Sequence, residues 1–169
     1  MGTLARTRYT REIRTEAAKH GLDPNLVEAL VLQESAGNTD AFRFEPNFWN
    51  RYLKNNLLYK GRNPRRVSSS YGLMQVMFPV AVEDGLDSAA PPETLFVPER
   101  GLEAGCRRLA KLLAWAKGFP GTTAEQQLWA ALASYNGGRG GNEPGSPVLR
   151  NGIYARQVLD KLANLAPAS

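Results

Sequence analysis

A single carboxylic acid, Glu34, ends a row of aliphatic side chains in the segment Asp23–Ser35. The row consists of three residues at helical spacing before the acid: Val27, Leu30 and Val31. On a helix these side chains share one face, so the carboxyl group would lie against apolar neighbours. Burial disfavours the charged form of an acid and raises its pKa, which leaves a proton donor at neutral pH. The alternative is an ordinary carboxylate that pairs with one of the arginines.

The helix that would carry Glu34 has a start signal in the sequence. Asp23 can act as the N-cap, and Pro24 at the first helical position loses no hydrogen bond, because the N–H there has no helical partner. Glu28 falls outside the apolar row and is expected to be solvated. We therefore expect replacement of Glu28 by Gln to have no effect.

The counts of cysteine and histidine exclude several kinds of site. The chain of 169 residues contains one cysteine, Cys106, and one histidine, His20. A disulfide within the chain is impossible, and a Cys/His zinc cluster is not supported. A serine or cysteine nucleophile would need His20 as its base, but His20 precedes Gly21 at an expected helix end, where a capping role is favoured. The remaining kind of catalytic site is one that uses carboxylic acids, and no cofactor or metal is expected.

Positive charge is concentrated in one part of the chain. The net charge is +5, and no Asp or Glu occurs between Pro46 and Val82. The cations of this stretch are Arg51, Lys54, Lys60, Arg62, Arg65 and Arg66. Such a surface attracts a polyanion: nucleic acid, an acidic lipid surface or an anionic cell-wall polymer. An ordinary solvated basic face is the alternative.

Helical periodicity dominates the chain, and no segment alternates convincingly with a period of two. Helices are predicted at 9–20, 23–35, 46–58, 98–117, 123–133 and 149–165, with a glycine-rich loop at 134–142. Residues 71–78 are apolar except for Gln75, whose amide needs a hydrogen-bonding partner. This run could be a buried strand or a helix, and the residues after it favour a helix. The sequence predicts an all-α or mainly α fold with residues 1–169 in one domain.

Three short motifs follow one another along the chain. They are Gln33-Glu34-Ser35, Gly72-Leu73-Met74-Gln75-Val76-Met77 and Ala133-Ser134-Tyr135-Asn136-Gly137-Gly138. In this order they resemble the soluble-lytic-transglycosylase type domain of the lysozyme-like superfamily, as do Leu95–Glu99 and Tyr154. The resemblance covers roughly residues 20 to 160. It implies a lysozyme-like helical domain with two lobes around a central cleft.

The resemblance also implies roles for individual residues. Glu34 would be the catalytic acid. Met74 and Gln75 would line the cleft beside the acetamido groups of the sugars. Tyr135 and Asn136 would hold the acid or the reacting sugar.

Other site residues follow from the same resemblance or from their position. Tyr154 would close the far wall of the cleft, and Ser70 would lie near the substrate. Glu45, between two bulky neighbours, is expected to have a structural or subsite role. The chain departs from the common pattern at Ser69-Ser70-Tyr71 and in the aromatic and basic insertion at 42–66.

The substrate that the resemblance implies is peptidoglycan, at the β-1,4 bond between N-acetylmuramic acid and N-acetylglucosamine. Most glycosidases use two carboxylates, whereas relatives of this family work with one, as acid and then base, and form 1,6-anhydro-N-acetylmuramic acid. A hydrolytic muramidase of goose-lysozyme type is the alternative if Asp40 or Glu45 reaches the cleft opposite Glu34. An inactive wall-binding or virion structural module is a further alternative.

Partners and location are expectations of the same kind. No signal peptide or apolar run of membrane-spanning length is evident. We expect a monomer that acts on the anionic bacterial wall, as a phage lysin made in the host cytoplasm, a virion-associated protein, or a domain of a larger wall-remodelling protein. Nucleic acid is not expected as a partner, because no recognition-helix motif accompanies the basic stretch.

Overall fold

Helices form most of the chain in the computed structural model, which describes residues 3–168. The first two residues and the last, which the single-domain prediction includes, lie outside this range. The helices are α1 Thr10–Lys19, α2 Pro24–Ser35, α3 Pro46–Phe48, α4 Pro64–Val67, α5 Phe78–Glu83, α6 Pro98–Lys117, α7 Ala124–Gly137 and α8 Gly152–Asn164. A π-helical segment covers Trp49–Leu53, and a 3₁₀ segment covers Pro92–Phe96. The predicted mainly α fold is confirmed.

Helix α2 lies in the middle of the helical core. It packs against α1 and α8, while α6 packs against α1 and α7, and α7 against α8. All residues from Leu26 to Val31 are buried, so α2 is covered on more than the single face that the sequence pattern predicts. A helix that is apolar around most of its circumference belongs inside a core.

The predicted N-cap of α2 is confirmed. The Asp23 side chain accepts a hydrogen bond from the Asn25 backbone N–H at 2.8 Å, with Pro24 at the first helical position of α2. At the start of α7, Thr123 and Gln126 form a reciprocal capping box. Each signal involves residues within three positions of one another, so it can be recognised without the rest of the fold.

A small antiparallel sheet is the main difference from the sequence prediction. Its strands are β1 Phe42–Phe44, β2 Ser69–Tyr71 and β3 Val76–Met77, in that order across the sheet. The preference for a helix at 71–78 is therefore wrong, since α5 begins only at Phe78. Pairing between β1 and β2 joins segments far apart in sequence, and strands this short leave little period-two pattern.

A tight turn, Gly72–Gln75, joins β2 to β3. Gly72 has a φ of +71°, and a Cβ there would lie 2.5 Å from the Leu95 carbonyl oxygen. Both the backbone conformation and the close approach require glycine. The turn is therefore pressed against the 3₁₀ segment before α6.

Two helix boundaries also differ from the prediction. The helix expected at 46–58 is short, because α3 passes into the π-helical segment and regular structure ends at Leu53. Helix α7 continues to Gly137, whereas the glycine-rich loop was expected from 134 onward. The loop begins at Gly138, where φ is +80°. As a result, Tyr135 and Asn136 lie on the last turn of a helix.

Glu28 is fully buried, so the expectation that it is solvated is wrong. Its Oε1 accepts a hydrogen bond from the Thr7 backbone N–H at 2.7 Å, and its Oε2 lies 3.8 Å from the Arg6 guanidinium. The N-terminal segment thus covers this side of α2. A buried carboxylate needs such partners, because an unpaired charge in the core is costly.

We now predict that Glu28→Gln lowers stability while leaving the cleft intact. The amide can still accept from Thr7, but it cannot balance the charge of Arg6. The expected loss is about 1–3 kcal/mol in the free energy of unfolding, measured by urea denaturation. Glu99→Gln, an exposed change on α6, is the control and should stay within about 0.5 kcal/mol of the parent. Equal stability of the two variants would contradict a structural role for Glu28.

Candidate active site

A cleft of about 660 Å³ opens between the sheet and the end of α7. Elements from both halves of the chain contribute to its walls. Its lining residues are Glu34, Arg43, Glu45, Phe48, Tyr52, Ser70, Gln75, Val76, Met77, Val80, Glu83, Arg108, Ser134, Tyr135, Asn136, Gly137 and Gly138. Six of the eight predicted site residues are among them. The other two, Met74 and Tyr154, lie behind the cleft wall.

Glu34 lies at the C-terminal end of α2, where the core meets the cleft. The Tyr154 hydroxyl of α8 donates a hydrogen bond to its Oε1. Burial raises the pKa of Glu34 to about 7, against the opposing effects of the Tyr154 hydrogen bond and the positive charge of Arg43. The predicted rise in pKa is confirmed. The catalytic role itself stays a prediction.

The Gly72–Gln75 turn is fastened to two helices at the cleft. Ser35 Oγ donates to the Leu73 carbonyl at 2.8 Å, and the Tyr135 hydroxyl donates to the Met74 carbonyl at 2.7 Å. Gln75 Nε2 closes the turn by donating to the carbonyls of Ala41 at 2.9 Å and Gly72 at 3.1 Å. The expected partner for the Gln75 amide is thus the backbone. These bonds fix the position of the turn beside Glu34.

The roles predicted for Met74 and Tyr154 need correction. The Met74 side chain is fully buried and packs so closely on α6 that a Cβ on Gly105 would lie 2.3 Å from its Sδ. It cannot line the cleft, although its backbone carbonyl holds Tyr135. Tyr154 is also buried and does not form the far wall; it supports Glu34 from behind.

The remaining predicted residues line the cleft, and their contacts with a sugar stay predictions. Ser70 lines the cleft from β2, and Asn136 lines it from the last turn of α7. Tyr135 lines the cleft too, but its hydroxyl holds the turn and not the acid. Glu45 reaches the cleft and pairs with Arg43, with Nε and Oε1 2.8 Å apart, whereas Asp40 is exposed and does not line it.

Several cleft residues were not predicted. Arg43, Phe48 and Tyr52 come from the insertion at 42–66, which the sequence marks only by its aromatic and basic composition. Glu83 and Arg108 come from α5 and α6, where nothing in their local pattern separates them from other surface charges. Arg43 has the clearest effect, since its charge opposes the raised pKa of Glu34.

The cations of the basic stretch fall into two groups: those that contact other side chains of the protein and those that are exposed to solvent. Arg66 pairs with Glu93 through two hydrogen bonds, of 2.6 and 2.8 Å, which lowers the pKa of that carboxyl. Arg62 stacks on Tyr59 and Phe78 and donates to the Ser88 carbonyl. Arg65 lies over two phenylalanine rings. The exposed cations Arg51, Lys54 and Lys60 are therefore the ones best placed to attract an anionic surface.

No metal site is evident among residues 3–168, since no three His, Cys, Asp or Glu side chains come together in a suitable group. Within the same range, none of the helices combines the length and the apolar character needed to cross a bilayer. The single cysteine is buried in α6, which raises the pKa of its thiol to about 12. A thiolate nucleophile is therefore not supported.

Comparisons with known proteins agree with this architecture. The family model described as the Transglycosylase SLT domain matches residues 11–144. Lysozyme g of Epinephelus coioides is 32% identical over 135 residues, which are 79% of this chain and 60% of that protein. The chain thus spans about three fifths of the length of this curated relative.

Two solved structures have the same fold. An inactive mutant of the lytic transglycosylase Slt from Pseudomonas aeruginosa matches with a TM-score of 0.63 and 20% identity, over 92% of this chain and 23% of that one. The 70 kDa soluble lytic transglycosylase of Escherichia coli matches with a TM-score of 0.62 and 19% identity, over 92% and 24%. At such identities the structures establish the fold alone. With the family match over most of its length, the chain belongs to the Transglycosylase SLT domain family.

Proposed function

We propose that the chain degrades peptidoglycan as a lytic transglycosylase, by cleaving the β-1,4 bond between N-acetylmuramic acid and N-acetylglucosamine. The observation that carries this proposal is a half-buried carboxyl group, Glu34, whose pKa of about 7 keeps it partly protonated at neutral pH beside an open cleft. Family membership supports the same reaction class. The product is a 1,6-anhydro-N-acetylmuramic acid end, formed without water.

Glu34 acts twice in this scheme. The neutral acid donates its proton to the glycosidic oxygen as the bond to C1 of the muramic sugar breaks. The resulting carboxylate is stabilised by the Tyr154 hydroxyl and by the charge of Arg43, the two groups that lower its pKa. It then accepts the proton of the C6 hydroxyl, whose oxygen attacks C1 and closes the anhydro ring. Burial favours the acid form and the two partners favour the base form, so one residue can serve both steps.

Hydrolysis is the second candidate, and two observations favour it. Glu45 reaches the cleft, where a second carboxylate could activate a water molecule. The similarity to lysozyme g points the same way. Against this, Arg43 pairs with the Glu45 carboxylate, with Nε and Oε1 2.8 Å apart, so one of its two oxygens already has a partner in the cleft. We therefore assign Glu45 to a sugar subsite.

Glu34→Gln should abolish turnover of purified peptidoglycan, measured as release of soluble muropeptides. The amide fills nearly the same volume but can neither donate nor accept the proton. General acid–base assistance alone is worth about 10²–10⁴ in rate, and a residue used in both steps should lie at or above the top of that range. Glu45→Gln is the matched control and should retain part of the activity. If Glu45→Gln were inactive and Glu34→Gln active, the assignment of Glu34 would fail.

The raised pKa of Glu34 also predicts how stability depends on pH. The pKa is about 7 in the folded state against an ordinary value of 4.5, so the unfolded chain releases this proton first as pH rises. This group therefore lowers the stability of the parent between those two values, and the loss persists above them. Glu34→Gln lacks this penalty.

The stability advantage of Glu34→Gln should be small near about pH 4 and rise to at most about 3 kcal/mol near about pH 8. Urea unfolding of both proteins at the two pH values measures it. Glu99→Gln, which changes an exposed carboxyl, should show no comparable trend. An advantage that is the same at both pH values would show that the pKa of Glu34 is not raised by folding.

A further inference from the structure

Three asparagine side chains form a connected chain that ends in the cleft. Asn136 lines the cleft, and its Oδ1 accepts a hydrogen bond from Asn151 Nδ2 at 2.8 Å. Asn151 Oδ1 accepts in turn from Asn142 Nδ2 at 3.0 Å. Asn142, the last residue of the glycine-rich loop, is fully buried. A buried amide that satisfies its hydrogen bonds is held in a single orientation.

The orientation of Asn142 is fixed by the backbone. Its Oδ1 accepts from the backbone N–H of Asn151 at 2.9 Å, and its Nδ2 donates to the Gly138 carbonyl at 2.8 Å. Backbone groups have one polarity each, so turning the amide by half a rotation would break both bonds. The oxygen and nitrogen of Asn142 can therefore be assigned from the network without ambiguity.

This assignment passes from one amide to the next. Because Asn142 presents its Nδ2 to Asn151, the oxygen of Asn151 faces Asn142 and its nitrogen faces Asn136. The oxygen of Asn136 is thereby engaged, while its Nδ2 makes no hydrogen bond within residues 3–168. Asn136 consequently offers an N–H donor to whatever occupies the cleft.

Glycine makes the close packing of these amides possible. A Cβ on Gly137 would lie 2.1 Å from Asn151 Oδ1, so no other residue allows the side chain of Asn151 to reach Asn136. Arg150 Nε adds a further donor to Asn151 Oδ1 at 3.3 Å. Glycine is therefore required at the last residue of α7 for this contact.

We propose that Asn142 and Asn151 are positioning residues that hold Asn136 as a hydrogen-bond donor for the carbonyl oxygen of an N-acetyl group on the glycan. A sugar hydroxyl can donate or accept, and would tolerate either orientation of Asn136. A carbonyl can only accept, so a donor of fixed polarity discriminates in its favour. The inference rests on the proposed function, and it deepens it by naming how the cleft would recognise N-acetylated sugar.

The test measures glycan binding in the Glu34→Gln background, where turnover is not expected. The ligands are a peptidoglycan-derived tetrasaccharide and its de-N-acetylated counterpart, titrated by calorimetry. Asn151→Asp can still accept from Asn142 and Arg150 but cannot donate to Asn136. The amide of Asn136 should therefore turn and present its oxygen to the cleft. We expect about a tenfold or greater loss of affinity for the N-acetylated ligand.

A double-mutant cycle separates positioning from a general structural role. Asn136→Ala should weaken binding of the N-acetylated ligand, and adding Asn151→Asp should then cost nothing more, because Asn151 acts through Asn136. Asn151→Ala, which lets Asn136 turn either way, should cause a smaller loss than Asn151→Asp. Asn25→Asp adds the same charge at an exposed site where Oδ1 accepts from Arg6, and should leave affinity unchanged.

Several results would overturn the proposal. One is an affinity for the N-acetylated ligand that Asn151→Asp leaves unchanged. Another is a loss of affinity on Asn151→Asp that is as large in the Asn136→Ala protein as in the protein with Asn136 intact. The Glu34→Gln protein could bind both ligands equally, or neither. None of these results depends on turnover. Failure of the positioning role of Asn142 and Asn151 is therefore distinguishable from failure of the proposed function. The proposed function is judged by whether the protein with Glu34 intact releases muropeptides.

Discussion

The hydrogen bond between Tyr154 and Glu34 joins α8 to α2 beside the cleft. Helix α2 brings Glu34 out of the core, and α8, which packs along α2, brings Tyr154 behind it. Burial alone would hold the carboxyl neutral, and the tyrosine and Arg43 alone would hold it charged. Their balance places the pKa near the pH at which a single group can both give and take a proton.

The geometry of the cleft depends on the turn between β2 and β3. Ser35, one residue after the acid, holds one carbonyl of this turn, and Tyr135 at the end of α7 holds the next. Gly72 allows the turn to press against the segment before α6. The end of α2, the β2–β3 turn and the end of α7 are thereby joined around Glu34. Ser35, Gly72 and Tyr135 fix the turn beside the acid through these contacts. The ordered set of three sequence motifs corresponds to these contacts.

Much of this arrangement could be predicted from the sequence where the causes are local. The N-cap at Asp23, the capping box at Thr123 and the apolar row that ends in Glu34 each depend on residues a few positions apart. The motifs also indicated Gln75 and Asn136 as cleft residues. What was missed depends on contacts between distant segments.

Glu28 illustrates the limit most clearly. Its spacing places it away from the apolar row, but the N-terminal segment folds back over α2 and supplies its partners. The motif that contains Met74 predicts a cleft residue. Gly105 on α6 instead leaves space for the Met74 side chain, which packs there and is buried. The pairing of β1 with β2 was missed for the same reason, since it joins 42–44 to 69–71, while β3 pairs locally with β2 but is only two residues long. Helical periodicity carries no information about such pairings.

The most direct test of the account is the mass of the products released from purified peptidoglycan. If Glu34 serves as both acid and base, the muramic ends will carry the 1,6-anhydro ring and will be lighter than hydrolytic products by one water. If a second carboxylate such as Glu45 activates water in the cleft, the ends will be reducing N-acetylmuramic acid. Products of that kind would contradict the single-acid mechanism at its centre.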